Sequence, residues 1–80
     1  MDIKLYAAEH CPVCEQAREF FANHKISYEE VDVEKSPEVA RNLYERCGSN
    51  DLPIIDIDGK CFAGFDREAI KQELHLPYRR

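Results

Sequence analysis

Hydrophobic and polar residues alternate at the start of the chain. Ile3, Leu5 and Ala7 fall on one face and Lys4 and Tyr6 on the other, the period-two signature of a strand. The period then lengthens. Val13, Ala17, Phe20, Phe21 and His24 recur at three- and four-residue steps, while Glu15, Gln16, Arg18, Glu19 and Asn23 fill the rest of the surface. Pro12 sits where a helix accepts proline, in its first turn, so a helix is predicted from Pro12 to Asn23. Tyr28–Val33 reads as a second strand, with Val31 and Val33 on one face. Ser36-Pro37 combines an N-cap with an N1 proline, and Val39, Ala40, Leu43, Tyr44 and Cys47 mark the buried side of the helix they start. Gly48 ends that helix and Ser49-Asn50-Asp51 is loop. Pro53–Ile57 and Lys60–Ala63 flank Asp58-Gly59, a strong short hairpin signal. Asp66 caps a last helix that places Ala69, Ile70, Glu73 and Leu74 at helical spacing, and Leu76-Pro77 and Tyr78-Arg79-Arg80 finish the chain.

The predicted order is β-α-β-α-β-β-α, an α/β architecture. The first β-α-β is expected to be a right-handed crossover between parallel strands, and the hairpin adds an antiparallel pair. Three helices then cover a four-stranded mixed sheet. A two-residue turn at Asp58-Gly59 pairs Cys61 with Asp56 and puts it on the face of Ile54 and Ala63. Ile55, Ile57 and Phe62 face the other way.

Eighty residues make one small domain, residues 1–80, with no room for a second. Eleven Lys and Arg against 16 Asp and Glu leave a net charge of −5, which argues against a nucleic-acid surface or a polybasic membrane patch. No apolar run approaches the ~18 residues of a transmembrane helix. Met1-Asp2-Ile3-Lys4-Leu5 lacks the basic start and apolar stretch of a signal peptide, so a soluble, cytoplasmic monomer is expected.

Four cysteines in this length change the picture. A disulfide framework belongs to oxidising compartments, which the expected location does not supply. Cys11 and Cys14 form a C-x-x-C, whereas Cys47 and Cys61 stand alone. One reactive pair plus two bystanders fits better than two staples. Cys11 falls at the start of the first helix, where unpaired backbone N–H groups favour thiolate, the nucleophilic form, over thiol. Cys14 lies about one turn further on, near enough to displace a product from Cys11. The bland alternatives are an inert pair or half of a zinc site.

Leu52-Pro53 is the second informative element. A proline opening a strand after a polar loop is a candidate for a cis peptide, although an edge-strand trans proline is the commoner outcome. Cis geometry would turn the Leu52 backbone outward to pair with an extended peptide.

These pieces together resemble the glutaredoxin branch of the thioredoxin fold over nearly the whole chain. Cys11-Pro12-Val13-Cys14 differs by one residue from the family's commonest C-P-Y-C, and Leu52-Pro53 takes the place of its Val-Pro, whose proline is cis. Gly64-Phe65-Asp66 resembles the segment that holds a glutathione carboxylate, and Tyr6 matches the aromatic residue ending the first strand. The resemblance implies Cys11, Cys14 and Pro12 as the catalytic motif. Tyr6, Val13, Leu52, Pro53, Gly64, Phe65 and Asp66 are implied as substrate-binding residues. It also implies dithiol–disulfide exchange on protein disulfides or glutathione mixed disulfides, with no bound cofactor.

Departures from the pattern bear on the reductant. Ala7-Ala8-Glu9-His10 lacks the Lys or Arg that usually precedes the first cysteine in glutathione-using members, Asp51 replaces a Thr, and Ala63 stands where a second glycine is usual. Charge and steric logic weaken a glutathione site in each case. Leu52-Pro53-Ile54-Ile55 and Ala63-Gly64-Phe65 look instead like the glutaredoxin-like donors to ribonucleotide reductase, which thioredoxin reductase reduces. Some glutaredoxin relatives hold an iron–sulfur cluster through the first cysteine and glutathione. A metal-binding module, with that cluster or with zinc, is therefore the alternative.

The remaining residues have plainer readings. His10 is a thiolate-stabilising group, a metal ligand or an exposed loop histidine. His24 and His75 sit near helix ends and face the dipole or solvent. Cys47 is expected to be a buried packing cysteine, Cys61 is not placed, and Glu29-Glu30 through Glu34 forms a solvated acidic edge.

Overall fold

The structure, a computed structural model, describes residues 2–49 and 51–75. Asn50 and the predicted Leu76–Arg80 tail lie outside the described residues. The elements follow the predicted order: β1 (Ile3–Ala7), α1 (Pro12–Asn23), β2 (Glu29–Asp32), α2 (Pro37–Cys47), β3 (Ile54–Ile57), β4 (Lys60–Ala63) and α3 (Arg67–Glu73). They build a four-stranded mixed sheet in the order β2-β1-β3-β4, the thioredoxin-like arrangement. β1 runs parallel to β2 and antiparallel to β3, and the β3–β4 hairpin sets Asp56 opposite Cys61, as its turn chemistry requires. Asp58 and Gly59 both adopt positive φ, 52° and 91°, the left-handed conformation of a primed two-residue turn.

Alternation along the strands divides the core between two faces. On one, Ile3, Leu5, Ala7, Ile55 and Ile57 meet Cys14, Ala17, Phe20 and Phe21 of α1 and Ile70 of α3. On the other, Tyr6 and Ile54 meet Leu43 of α2, with Val31, Val33, Val39 and Cys47 packed around them.

Several expectations are corrected. β2 stops at Asp32, whose carboxylate accepts the Glu34 N–H at 2.9 Å and turns Val33–Lys35 into a 3-10 turn. Ser36 occupies the N-cap of α2, but its hydroxyl makes no capping hydrogen bond. Tyr44, expected on the buried side of α2, is 55% exposed, and Val13, expected on the apolar stripe of α1, is 40% exposed. Glu30 is exposed, as an acidic edge should be, and in addition its carboxylate accepts a two-pronged contact from Arg18, with Nη2 at 2.7 Å and Nε at 3.0 Å. Cys47 and Cys61 do not stand apart: a disulfide joins the end of α2 to β4.

Candidate active site

The β1–α1 junction sets up the cysteine pair. Cys11 is the N-cap of α1, with extended backbone, and its Sγ accepts the Cys14 N–H at 3.2 Å. A sulfur in this place meets one of the four N–H groups that a helix start leaves unpaired. The same hydrogen bond favours the charged sulfur once the pair is reduced. Pro12 at N1 lacks an N–H that would need a partner. Cys11 and Cys14 are joined as a disulfide, with Cα atoms 5.2 Å apart. Cys14 is fully buried among the core residues, while Cys11 is half-buried and Pro12 and Val13 are exposed. An attacking group from solvent therefore meets Cys11 first.

The β1–α1 loop is tied down by a residue that carried no motif. Besides Glu30, Arg18 reaches Glu15 at 3.4 Å and the Ala8 carbonyl at 3.5 Å, so one guanidinium links α1, β2 and the loop leading to Cys11. The hydrogen-bonded Glu30 carboxylate raises the Arg18 pKa above its ordinary value, against the lowering effect of burial. A lone Arg on the polar side of a helix gives no sequence signal for this, because both Ala8 and Glu30 come from other elements.

The other predicted residues divide. The Leu52–Pro53 peptide is cis; Pro53 is buried, and half-buried Leu52 packs against the same core cluster as Cys11 and Cys14. Phe65 joins that cluster edge-on to Phe20 at 5.6 Å, with the Arg67 guanidinium 5.8 Å from its ring. Gly64 holds φ 74°, and the Asp66 carboxylate caps α3 by accepting the Ala69 N–H at 3.3 Å. Tyr6 is the exception. It is 8% exposed and faces α2, on the sheet surface opposite the cysteine pair.

His10 is exposed. His24 stacks on Phe20 at 4.4 Å, with Nδ1 3.0 Å from the Phe20 carbonyl oxygen, which places it at the helix end as expected. Among the described residues, no three or more His, Cys, Asp or Glu side chains gather in a way that could hold a metal ion. Among them too, no helix is long and apolar enough to cross a membrane.

Comparison with known proteins agrees with this geometry. The chain is 32% identical over 71 residues to a glutaredoxin-like 8.6 kDa protein of the rubredoxin operon of Clostridium pasteurianum, covering 85% of this chain and 91% of that one. It is 25% identical over 63 residues to the glutaredoxin-like protein NrdH of Lactococcus lactis, covering 79% and 86%. Among solved structures, the thioredoxin-like protein BC3987 superposes with a TM-score of 0.82 at 34% identity, over 89% of this chain and 97% of that one. NrdH-redoxin from Escherichia coli superposes with a TM-score of 0.84 at 24% identity over the whole of both chains. The Glutaredoxin family profile matches residues 3–62, and on that match the chain belongs to the glutaredoxin family.

Proposed function

We propose that this chain is a thiol–disulfide oxidoreductase working through Cys11 and Cys14. The observation that carries the proposal is the half-buried N-cap sulfur of Cys11, hydrogen-bonded to the Cys14 N–H and backed by a fully buried partner sulfur. In the reduced protein the Cys11 thiolate attacks a substrate disulfide. It bonds one sulfur and releases the other as a thiolate, which takes up a proton. Cys14, deprotonated, then attacks Cys11, frees the second substrate sulfur and leaves the Cys11–Cys14 disulfide. Two electrons and two protons pass to the substrate. Pro12 and Val13, with half-buried Leu52 and Phe65, supply the apolar rim that a protein segment carrying the disulfide would cover, and buried Pro53 holds Leu52 in place beneath it. The Gly64-Phe65-Asp66 turn borders this rim.

The reductant follows from charge. Glu9 and Asp51 are both exposed, and the stretch before Cys11 offers no Lys or Arg to an anionic tripeptide. A thioredoxin-reductase system fits better than glutathione, and a disulfide of ribonucleotide reductase is the candidate protein substrate. Both choices rest on the resemblance of Leu52-Pro53-Ile54-Ile55 and Ala63-Gly64-Phe65 to the glutaredoxin-like donors, alongside the chain's similarity to the glutaredoxin-like protein NrdH of Lactococcus lactis. The Escherichia coli NrdH-redoxin, at lower identity, is described as having a thioredoxin-like activity profile.

The test offers the oxidised protein two reducing systems with a small disulfide substrate and follows NADPH. One contains thioredoxin reductase; the other contains glutathione and glutathione reductase. Turnover with thioredoxin reductase alone is expected. Turnover with glutathione alone would overturn the charge argument. Turnover with neither would overturn the oxidoreductase reading and bring metal binding by the same cysteines forward.

A further inference from the structure

The second cysteine pair lies outside the chemistry described so far. Cys47 is the last residue of α2 and Cys61 is the second residue of β4; their Cα atoms are 5.8 Å apart and a disulfide joins them. Both residues are half-buried, so solvent reaches the pair. Cys47 packs with the cluster on the α2 face of the sheet, whereas Cys11 and Cys14 belong to the α1 face. The sheet stands between the two pairs, so neither can exchange with the other inside one folded molecule.

The surroundings of the two sulfurs differ. Arg46 Nη1 lies 3.6 Å from Cys61 Sγ and donates to Asp56 Oδ2 at 2.9 Å. Asp56, opposite Cys61 on β3, also accepts the Gly59 N–H through Oδ1 at 2.8 Å. The charges nearest Cys61 are thus the Arg46 cation from α2 and the Asp56 anion from β3. Its neighbour Lys60 is engaged by Glu73 of α3 at 3.0 Å. The guanidinium is the cation in contact with the sulfur and favours a thiolate there, against the opposing charge of the Asp56 carboxylate that it also holds.

We infer that Cys47 and Cys61 form a second thiol–disulfide exchange site, in which Cys61 carries the thiolate. A dithiol reductant opens it. One donor thiolate bonds Cys47 Sγ, and the electron pair of the Cys47–Cys61 bond passes to Cys61 Sγ beside Arg46. The second donor thiolate then attacks the first donor sulfur and frees Cys47, which takes a proton from water. The donor ends as a disulfide, and the pair has gained two electrons. In reverse, the Cys61 thiolate attacks a mixed disulfide on Cys47 and closes the site. Each chain would thereby hold two independent dithiol couples on opposite faces of one sheet.

This inference does not depend on the activity proposed for Cys11. The folded, oxidised chain and its Cys11→Ser/Cys14→Ser form are equilibrated with graded mixtures of reduced and oxidised dithiothreitol. Samples are acid-quenched and alkylated, and the label at each cysteine is read by peptide mass spectrometry. Cys47 and Cys61 should gain label together, two per chain, in both proteins. A pair that stays closed in excess dithiothreitol while the chain remains folded would overturn the inference. So would a pair already labelled before reduction.

The assignment of Cys61 is read from alkylation rates of the reduced chain against pH. Cys61 should react faster than Cys47 near neutrality. Arg46→Gln should slow Cys61 roughly threefold to tenfold, and Arg46→Lys should restore most of the rate. Faster labelling of Cys47, or no response to Arg46→Gln, would refute it. Failure of Cys11–Cys14 to open while Cys47–Cys61 does would instead count against the proposed function alone.

Discussion

The helix-capping role of Cys11 and its proposed role as the attacking sulfur can be split by two substitutions. Serine keeps a side-chain acceptor at the N-cap and ranks among the best caps; alanine removes the acceptor. The structure shows one such bond, from the Cys14 N–H to Cys11 Sγ at 3.2 Å, at the head of a 12-residue helix that carries four buried side chains. Losing a cap of this kind costs about 1 kcal/mol within a range of roughly 0.5–2. In a domain of this size each kcal/mol moves Tm by about 4–8 °C. Under reductant, with every disulfide open, Cys11→Ala should therefore melt about 5 °C below Cys11→Ser. Both variants should lose the disulfide-reducing turnover that runs through the Cys11–Cys14 couple. Calorimetry and the coupled NADPH assay measure the two effects separately. Equal melting temperatures would show that the acceptor at this position does not hold the helix, and turnover by Cys11→Ser would show that another sulfur attacks.

Three further outcomes follow from particular contacts. Closing the 47–61 loop restricts the unfolded chain by about 3 kcal/mol in the chain-entropy account, so Cys47→Ala/Cys61→Ala should lower the Tm of the oxidised protein by roughly 12 °C or more. Tyr28, against Phe21 at 4.8 Å, has its pKa raised first by burial and then by the Glu30 charge. Its neutral form is thus favoured on folding. The associated stability is intact below the ordinary tyrosine value of about 10 and falls as pH rises through the folded value. Alkaline denaturation of Tyr28→Phe should begin later, if at all, than that of the parent chain. Asp66→Ala should cost about 1 kcal/mol by uncapping α3, and chemical denaturation would show it as a lower midpoint at unchanged slope.

Much of the architecture was legible because local chemistry and tertiary packing agree. Pro12 and Ser36-Pro37 mark helix starts, Asp58-Gly59 fixes the hairpin register, and the alternation of Ile3, Leu5 and Ala7 names the face that α1 covers. The Cys11-to-Cys14 geometry was legible for the same reason, since both ends lie within one helical turn. What escaped involved partners from separate elements. Cys47 reads as an apolar helix position, and only the packing of α2 across the sheet brings it to Cys61. Arg18 reads as a solvated charge until β2 and the β1–α1 loop arrive beside it. Val13 and Tyr44 keep helical spacing yet are exposed, because spacing names a helix face and not whether another element reaches that part of it. The end of β2 was misjudged because Asp32 offers its own carboxylate to the backbone two residues on, and that local bond outcompetes the strand.

The position of β1 also governs how the chain could be taken apart. It lies between β2 and β3, so the pieces on either side of the α2–β3 connection meet along the β1–β3 ladder. A single proteolytic nick between Gly48 and Leu52 would give an amino-terminal piece with β1, α1, β2 and α2 and a carboxy-terminal piece with β3, β4 and α3. Cys47 lies on the first and Cys61 on the second, so the oxidised nicked protein stays one covalent body. On reduction the same cut produces two complementary fragments held together only by non-covalent contacts, and dilution can then separate them. Redox state would decide whether the nicked protein behaves as one molecule or two.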